Sequence, residues 1–304
     1  MPARVRMPLR AIVTALFVLA GLGAILPAQD ETRDIKPDPF IQARPVKSGH
    51  ASTAARPTYK AVGTAVNVPA NSPQLRQVGL TIWRLRPSRS TDKGARIIVQ
   101  EAATEVQWTP ERISTATLLK VGDHLRFSFE SAQKGYLYVI DREKYADKTM
   151  GDPTLIFPTT RLRNGDNSVT PGRLIEIPDQ GDRPNYFTLQ RTRENQVGEE
   201  LVLLVTPEPL EGITPAANPV VLPKDKVAAW EKQWGRPAQQ LELVGGEGRP
   251  WTKAEQQAGG DQTRLLTQQD PSPQTVFRVA AGPEVPVLFQ INLKYLSEKT
   301  APGK

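Results

Sequence analysis

The chain has 304 residues, of which 38% are hydrophobic, 23% charged and 6% aromatic, with 28 prolines and no cysteine. That length supports a buried core and leaves room for extensions beside it. Without cysteine there is no disulfide, thiolate zinc site, iron–sulfur cluster, cysteine nucleophile or lipidated cysteine, and two histidines, His50 and His124, leave metal and charge-relay chemistry short of parts.

At the N-terminus, Arg4, Arg6 and Arg10 precede an apolar run at residues 11–26, and no acid occurs before Asp30. The run is shorter than the ~20 residues a spanning helix needs. Ala28 after Pro27 fits a cleavage site, so residues 1–28 read as a signal peptide of a periplasmic or extracellular protein. A retained anchor is the other reading of the same run; once it is cleaved, no stable membrane span is left. The net charge is +7, and without the three arginines of residues 1–28 it is +4. Those charges are interspersed, whereas a nucleic-acid binder concentrates a basic face, so nucleic acid is not expected as a partner.

Residues 29–76 contain six prolines between Pro37 and Pro73 and only Phe40 and Tyr59 as aromatics. Too little apolar surface is present to offset ordering entropy, so the segment reads as a Pro-rich flexible linker. His50 within it reads as a solvated side chain.

Short strands follow, at 80–85, 96–100, 124–130, 135–140, 154–157, 173–177, 185–190 and 200–206, separated by turn-forming Gly, Asn, Asp and Pro. Leu125, Phe127 and Phe129 alternate with His124, Arg126 and Ser128, the period of a strand with one buried and one wet face. In Gly135-Tyr-Leu-Tyr-Val-Ile140 both faces are apolar, as in a central strand covered on both sides. Tyr136 and Tyr138 share one of those faces and read as core. Residues 77–210 are therefore expected to form a mainly β domain, an antiparallel β-sandwich or barrel-like fold.

Between 211 and 274 the period turns helical. Val227, Trp230 and Trp234 fall on one face of a helix at 224–234, and Thr252-Lys-Ala-Glu255 matches a capping box ahead of a second helix stopped by Gly259-Gly260. This stretch reads as a short helical insertion. Strand texture returns at 275–280 and 287–295, expected as a C-terminal strand pair that completes the sheet, before a disordered tail at 297–304.

Five blocks carry a family resemblance: VGDHLRFSFES (121–131), GYLYVIDRE (135–143), LIFPTTR (155–161), DNSVTPGRLIEIP (166–178) and EELVLLVTPEPL (199–210). In order and spacing they resemble the bacterial family called domain of unknown function 4384, over residues 121–210. The resemblance implies a β-rich accessory domain, found alone behind signal peptides or joined to other modules, and supplies no catalytic residues.

Candidate sites are few. Asp141, Glu143, Asp147 and Asp152 are the residues to consider for calcium, expected together in a loop between the strands at 135 and 154. Arg142, Lys144 and Lys148 offset their charge, and Ala146 stands where an EF-hand needs glycine, which favours a solvated loop. Trp83 breaks the alternation of Leu80, Ile82 and Leu85, so it is the candidate for an outward ring that stacks on sugars, against the commoner fate of packing. His124 and Ser128 share a face, but no Gly-x-Ser-x-Gly elbow accompanies them. Glu130, Asp141, Glu176 and Asp179 lie on or beside strands, without a spacing that makes any two a catalytic pair. No glycine cluster sits in a phosphate-loop context.

The sequence thus points to an exported, non-enzymatic β-domain, without cofactor, that binds another envelope component, foremost a protein. A carbohydrate- or cell-wall-binding module using exposed aromatics is the alternative. A hydrolase built on scattered carboxylates comes third.

Overall fold

Alternating side chains give each strand two faces, and both faces of most strands here find cover. The computed structural model describes residues 38–47, 57–63, 75–101, 104–260 and 264–297, all within one unit of the chain, Arg33–Lys304. The signal-peptide segment, His50 and all but the first residue of the tail at 297–304 lie outside the described residues.

In chain order the first elements are α1 (Asp38–Gln42), β1 (Tyr59–Val62), β2 (Leu75–Pro87), β3 (Ile97–Glu101) and β4 (Thr104–Ile113). The middle of the chain forms β5 (His124–Ser131), β6 (Gly135–Tyr145), β7 (Thr154–Phe157), β8 (Ser168–Val169), β9 (Leu174–Ile177), β10 (Phe187–Thr188) and β11 (Gln196–Thr206). Then come β12 (Val220–Val221), α2 (Lys224–Trp234), β13 (Gln239–Leu243), α3 (Lys253–Gly260), β14 (Thr275–Ala280) and β15 (Val287–Lys294).

The strands make two antiparallel sheets, the sandwich alternative of the sequence reading. In the first sheet β2 is the spine. Residues 78–85 of β2 pair with β5 on one side. On the other side its first half pairs with β14 and its second half with β4, so the sheet forks. One branch continues to β13 and β1, the other to β3, and β5 carries β9 and β10 beyond it. The second sheet runs β12, β7, β6, β11, β15, with β8 beside the start of β6. Between the sheets lies an apolar core that includes Leu80, Ile82, Phe129, Val139, Leu203 and Phe289.

The outer face of the second sheet is closed by α2, whose Val227 and Trp230 pack with Tyr138, Ile140, Val202 and Leu204. This accounts for the doubly apolar β6: Leu137 and Val139 face the inner core, Tyr138 and Ile140 the helix. The capping box forms at α3, where the Glu255 amide donates to Thr252 Oγ1 (3.3 Å) and the Thr252 amide to Glu255 Oε2 (2.9 Å).

Four expectations change. The polar face of β5 is not wet: Arg126, Ser128 and Glu130 are buried beneath α3 and the N-terminal segment, and the charges are paired. The strands at 275–280 and 287–294 do not pair with one another; β14 joins the first sheet and β15 the second. The 211–274 stretch supplies strands as well as helices, because β13 fills a place between β1 and β14. Finally, parts of the expected linker are packed. Phe40 and Tyr59 are fully buried beside Leu241 and Val276, β1 pairs with β13, and Arg44 forms a buried pair with Glu130. Low average hydrophobicity did not matter there, since a few large side chains have specific places to go.

Candidate functional site

Three neighbouring strands of the second sheet turn their inner rows from apolar to acidic or phenolic at the same end of the sandwich. On β6 the inward row is Leu137, Val139, Asp141, Glu143; on β11 it is Val205, Leu203, Leu201, Glu199. Along β15 it runs through Phe289, Ile291 and Leu293 to Tyr295. Register fixes the meeting point, because Glu143 lies opposite Glu199, Asp141 opposite Leu201, and Glu199 opposite Leu293. Phe127 of β5 and Phe187 of β10 face these residues from the first sheet, and together they line a notch of about 220 Å3.

The acids are held in different ways. Tyr295 Oη donates to Glu199 Oε1 at 2.6 Å, and Gln196 Nε2 donates to the same oxygen at 2.7 Å. Glu199 Oε2 and Asp141 Oδ1 are buried without a hydrogen-bond partner. Glu143 lies across Gly151, where any Cβ would overlap its carboxylate, and the Gly151 amide donates to the Glu143 carbonyl at 2.8 Å. Burial pushes Asp141 up to about 7, with the Glu143 charge adding to the shift and the Arg142 amide opposing it. Burial likewise pushes Glu199 up to about 8, helped by the charge of Asp141 and opposed by the bond from Tyr295. Desolvation raises the Tyr295 hydroxyl too, and the Glu199 bond adds to it. The notch therefore holds carboxyl groups that share protons near neutral pH and have lone pairs to spare.

Larger cavities exist. In two of them the principal charged groups are engaged, and a third, of about 430 Å3, is lined by Arg76, whose Nε and Nη2 are buried without a hydrogen-bond partner but where no acid is so placed. Beside one of about 560 Å3, Arg112 donates to the Ser272 carbonyl at 2.8 Å and is ion-paired with Glu255. At another of about 470 Å3, Glu231 pairs with Arg142 and accepts from Gln290 at 3.0 Å.

The sequence-derived candidates are redistributed. Asp141 and Glu143 are on β6, which extends to Tyr145, and not in a loop. Asp147 and Asp152 do not join them: Asp147 accepts from the Thr149 amide and hydroxyl, Asp152 pairs with Lys224 at 2.8 Å, and these partners hold both below the usual carboxylate range. The four are not a calcium loop, and among the described residues no group of three or more His, Asp or Glu is placed to hold a metal ion.

Trp83 does leave the inner core, but it is 1% exposed. It stands edge-on to Trp251 at 6.3 Å, lies under the Arg112 guanidinium, and donates from Nε1 to Ser128 Oγ at 2.7 Å. The segment at 250–260 covers it, so it is no exposed sugar platform. His124 packs edge-on to Trp108 and against Tyr186, with Nδ1 3.0 Å from Thr188 Oγ1. Ser128 is taken by Trp83, Glu130 by Arg44 and Glu176 by Arg126. Sequence reasoning missed Glu199 and Tyr295. The signal available was the continuation of two apolar alternations, through Glu199-x-Leu201-x-Leu203 and Leu293-x-Tyr295, into polar residues at the same phase.

Residues 118–209 match the profile of the family described as Domain of unknown function (DUF4384), which agrees with the resemblance over 121–210. No curated protein and no solved structure matches the chain. The matched segment runs from just before β5 to just past β11, so it holds Asp141, Glu143, Glu199, Phe127 and Phe187, while Leu293 and Tyr295 come from outside it.

Proposed function

We propose that this is an exported, non-enzymatic binding module of the cell envelope whose partner is a protein and whose contact surface is the acid-lined end of the sandwich. The observation that carries the reading is the pair of buried, unpartnered oxygens, Asp141 Oδ1 and Glu199 Oε2, on two residues that line one notch. Buried polar atoms in folded proteins are otherwise satisfied almost everywhere, and an orphaned pair in a cleft is what a ligand's donors would complete. The notch, at about 220 Å3, is below the ~300–1,000 Å3 of small-molecule sites, which favours one protruding group of a larger partner. Export rests on residues 1–28, with their arginines and short apolar run.

A second reading is supported by the same carboxyl groups, since acids raised towards neutrality suit general acid–base hydrolysis. The small cavity with its aromatic wall argues against it, because glycoside cleavage must seat the sugars on both sides of the broken bond. The buried Trp83 removes the main support of the glycan-platform alternative.

The test is capture from native envelope extract with the tagged chain, in parallel with Asp141→Asn/Glu199→Gln. One protein held in stoichiometric amount by the wild type, at low and high salt, and lost by the double variant is the expected result; desolvated charge contacts resist salt screening. Equal capture by both proteins, or no stoichiometric partner, would overturn the reading.

A further inference from the structure

Resting on that binding reading, the chemistry of the notch also limits what can enter it. We infer that it seats an aliphatic primary ammonium on a methylene stem, the side chain of a lysine presented by the partner.

The lining has two parts. Phe127, Phe187, Leu201 and Leu293 offer apolar surface for an alkyl stem, while Asp141, Glu143 and Glu199 offer oxygens for a cationic head. Which cation fits follows from how those oxygens are already used. An arginine fork binds best to both oxygens of one carboxylate. Neither buried acid offers such a pair: Glu199 Oε1 already accepts from Tyr295 and Gln196, and the Asp141 carboxylate takes the Arg142 amide. What is left is one free oxygen on each of two acids. An ammonium, with three donors spread around a point charge, can serve single oxygens on two separate acids. A bare divalent cation such as calcium asks for six to eight oxygens, and the apolar wall leaves too few.

Binding then involves proton exchange. The charged and titratable groups facing the site are Asp141 and Glu143 from β6, Glu199 from β11, Tyr295 beyond β15, and Arg191 from the segment after β10, whose charge is felt at Tyr295. Burial makes Asp141 and Glu199 hold their protons to higher pH than exposed acids do; a seated ammonium favours both as carboxylates, and the displaced protons pass to solvent. Affinity should therefore rise with pH, by up to about tenfold per unit for each proton displaced below the range in which the acids ionise, until the amine itself loses its charge near ~10.4.

The experiment titrates n-butylammonium into the full chain and follows the methyl resonances of Ile156 and Leu201, at about pH 6 and about pH 9. Saturable shifts are expected, with the dissociation constant at least about tenfold lower at the higher pH. n-Propylguanidinium should bind more weakly and 1-butanol should not saturate. Asp141→Asn/Glu199→Gln, folded by circular dichroism, should lose the response, and the two-pH comparison on the wild type needs no variant. Absence of saturable shifts, an equal response to 1-butanol, tighter binding of the guanidinium, or a pH-independent constant would each overturn the inference. If butylammonium fails while envelope capture still depends on Asp141 and Glu199, the lysine assignment falls and the binding reading stands. If butylammonium binds and capture finds no partner, the ammonium specificity of the notch stands, while the protein-partner reading and with it the lysine source fall.

Discussion

Asp141 and Glu199 occupy positions that the pattern of their own strands reserves for apolar side chains, and the cost shows in how they ionise. Their folded values, raised to about 7 and about 8, lie above the ~4 expected of exposed carboxyls in an unfolded chain. Between pH ~4 and ~8 the folded protein therefore holds more protons than the unfolded one, and stability falls as pH rises. This contribution is fully present in acid below the unfolded values and is lost as pH passes through the folded ones. The melting temperature of the wild type should drop from about pH 5 to about pH 9, and that of Asp141→Asn/Glu199→Gln should drop less. Parallel slopes for the two proteins would show that the pair does not titrate as described. Asp141 was visible in the sequence as an acid near a strand, but its burial was not, because burial depends on Phe127 and Phe187 arriving from the opposite sheet. Trp83 has a similar history: its departure from alternation was legible, while the cover provided by Trp251, distant in sequence, was not.

At the scale of elements, strong periodicity was the reliable guide. Strand β14, helix α2 and the capping box of α3 stand where the pattern put them, since each depends on near neighbours in the chain. Pieces defined by remote partners were invisible, and α1 and β1 are the clearest cases. Arg44 spends all five of its N–H donors: two on Glu130, both at 2.7 Å, and three on the carbonyls of Thr267, Asp270 and Pro271. Neither it nor Glu130 has more than 2% of its side chain exposed. Arg44→Ala would leave the Glu130 carboxylate buried and uncompensated, so urea denaturation should report a loss of about 3–5 kcal/mol. Arg44→Lys should recover only part of this, because an ammonium cannot reproduce the fork. A change under about 0.5 kcal/mol, the usual size for a surface substitution, would mean that this segment is an undocked tether after all.

The whole molecule raises the question of what the segment at 118–209 is without its flanks. It contributes strands to both sheets and six of the eight strands from which the sequence was read as a sandwich or barrel-like fold, the other two lying at 80–85 and 96–100. It does not close that sandwich. Strand β5 pairs with β2 along residues 78–85, and β11 pairs with β15 from Gly198 to Val205. Leu80, Ile82, Phe277, Phe289, Ile291 and Leu293, all outside the segment, fill much of the core between the sheets. A chain of residues 118–209 alone would expose two long, apolar strand edges, the situation that leads to aggregation, and would lose the part of the core that those outside residues fill, leaving a small domain with less buried surface. It should show no cooperative thermal transition and poorly dispersed amide resonances, whereas residues 38–297, which keep Arg44 and β1, should show both cooperativity and dispersion. Two-state unfolding of the short chain would instead make β2, β14 and β15 additions to a self-sufficient domain. It would also place the notch in a different light, because Leu293 and Tyr295 would then be late contributions to a site the segment builds by itself.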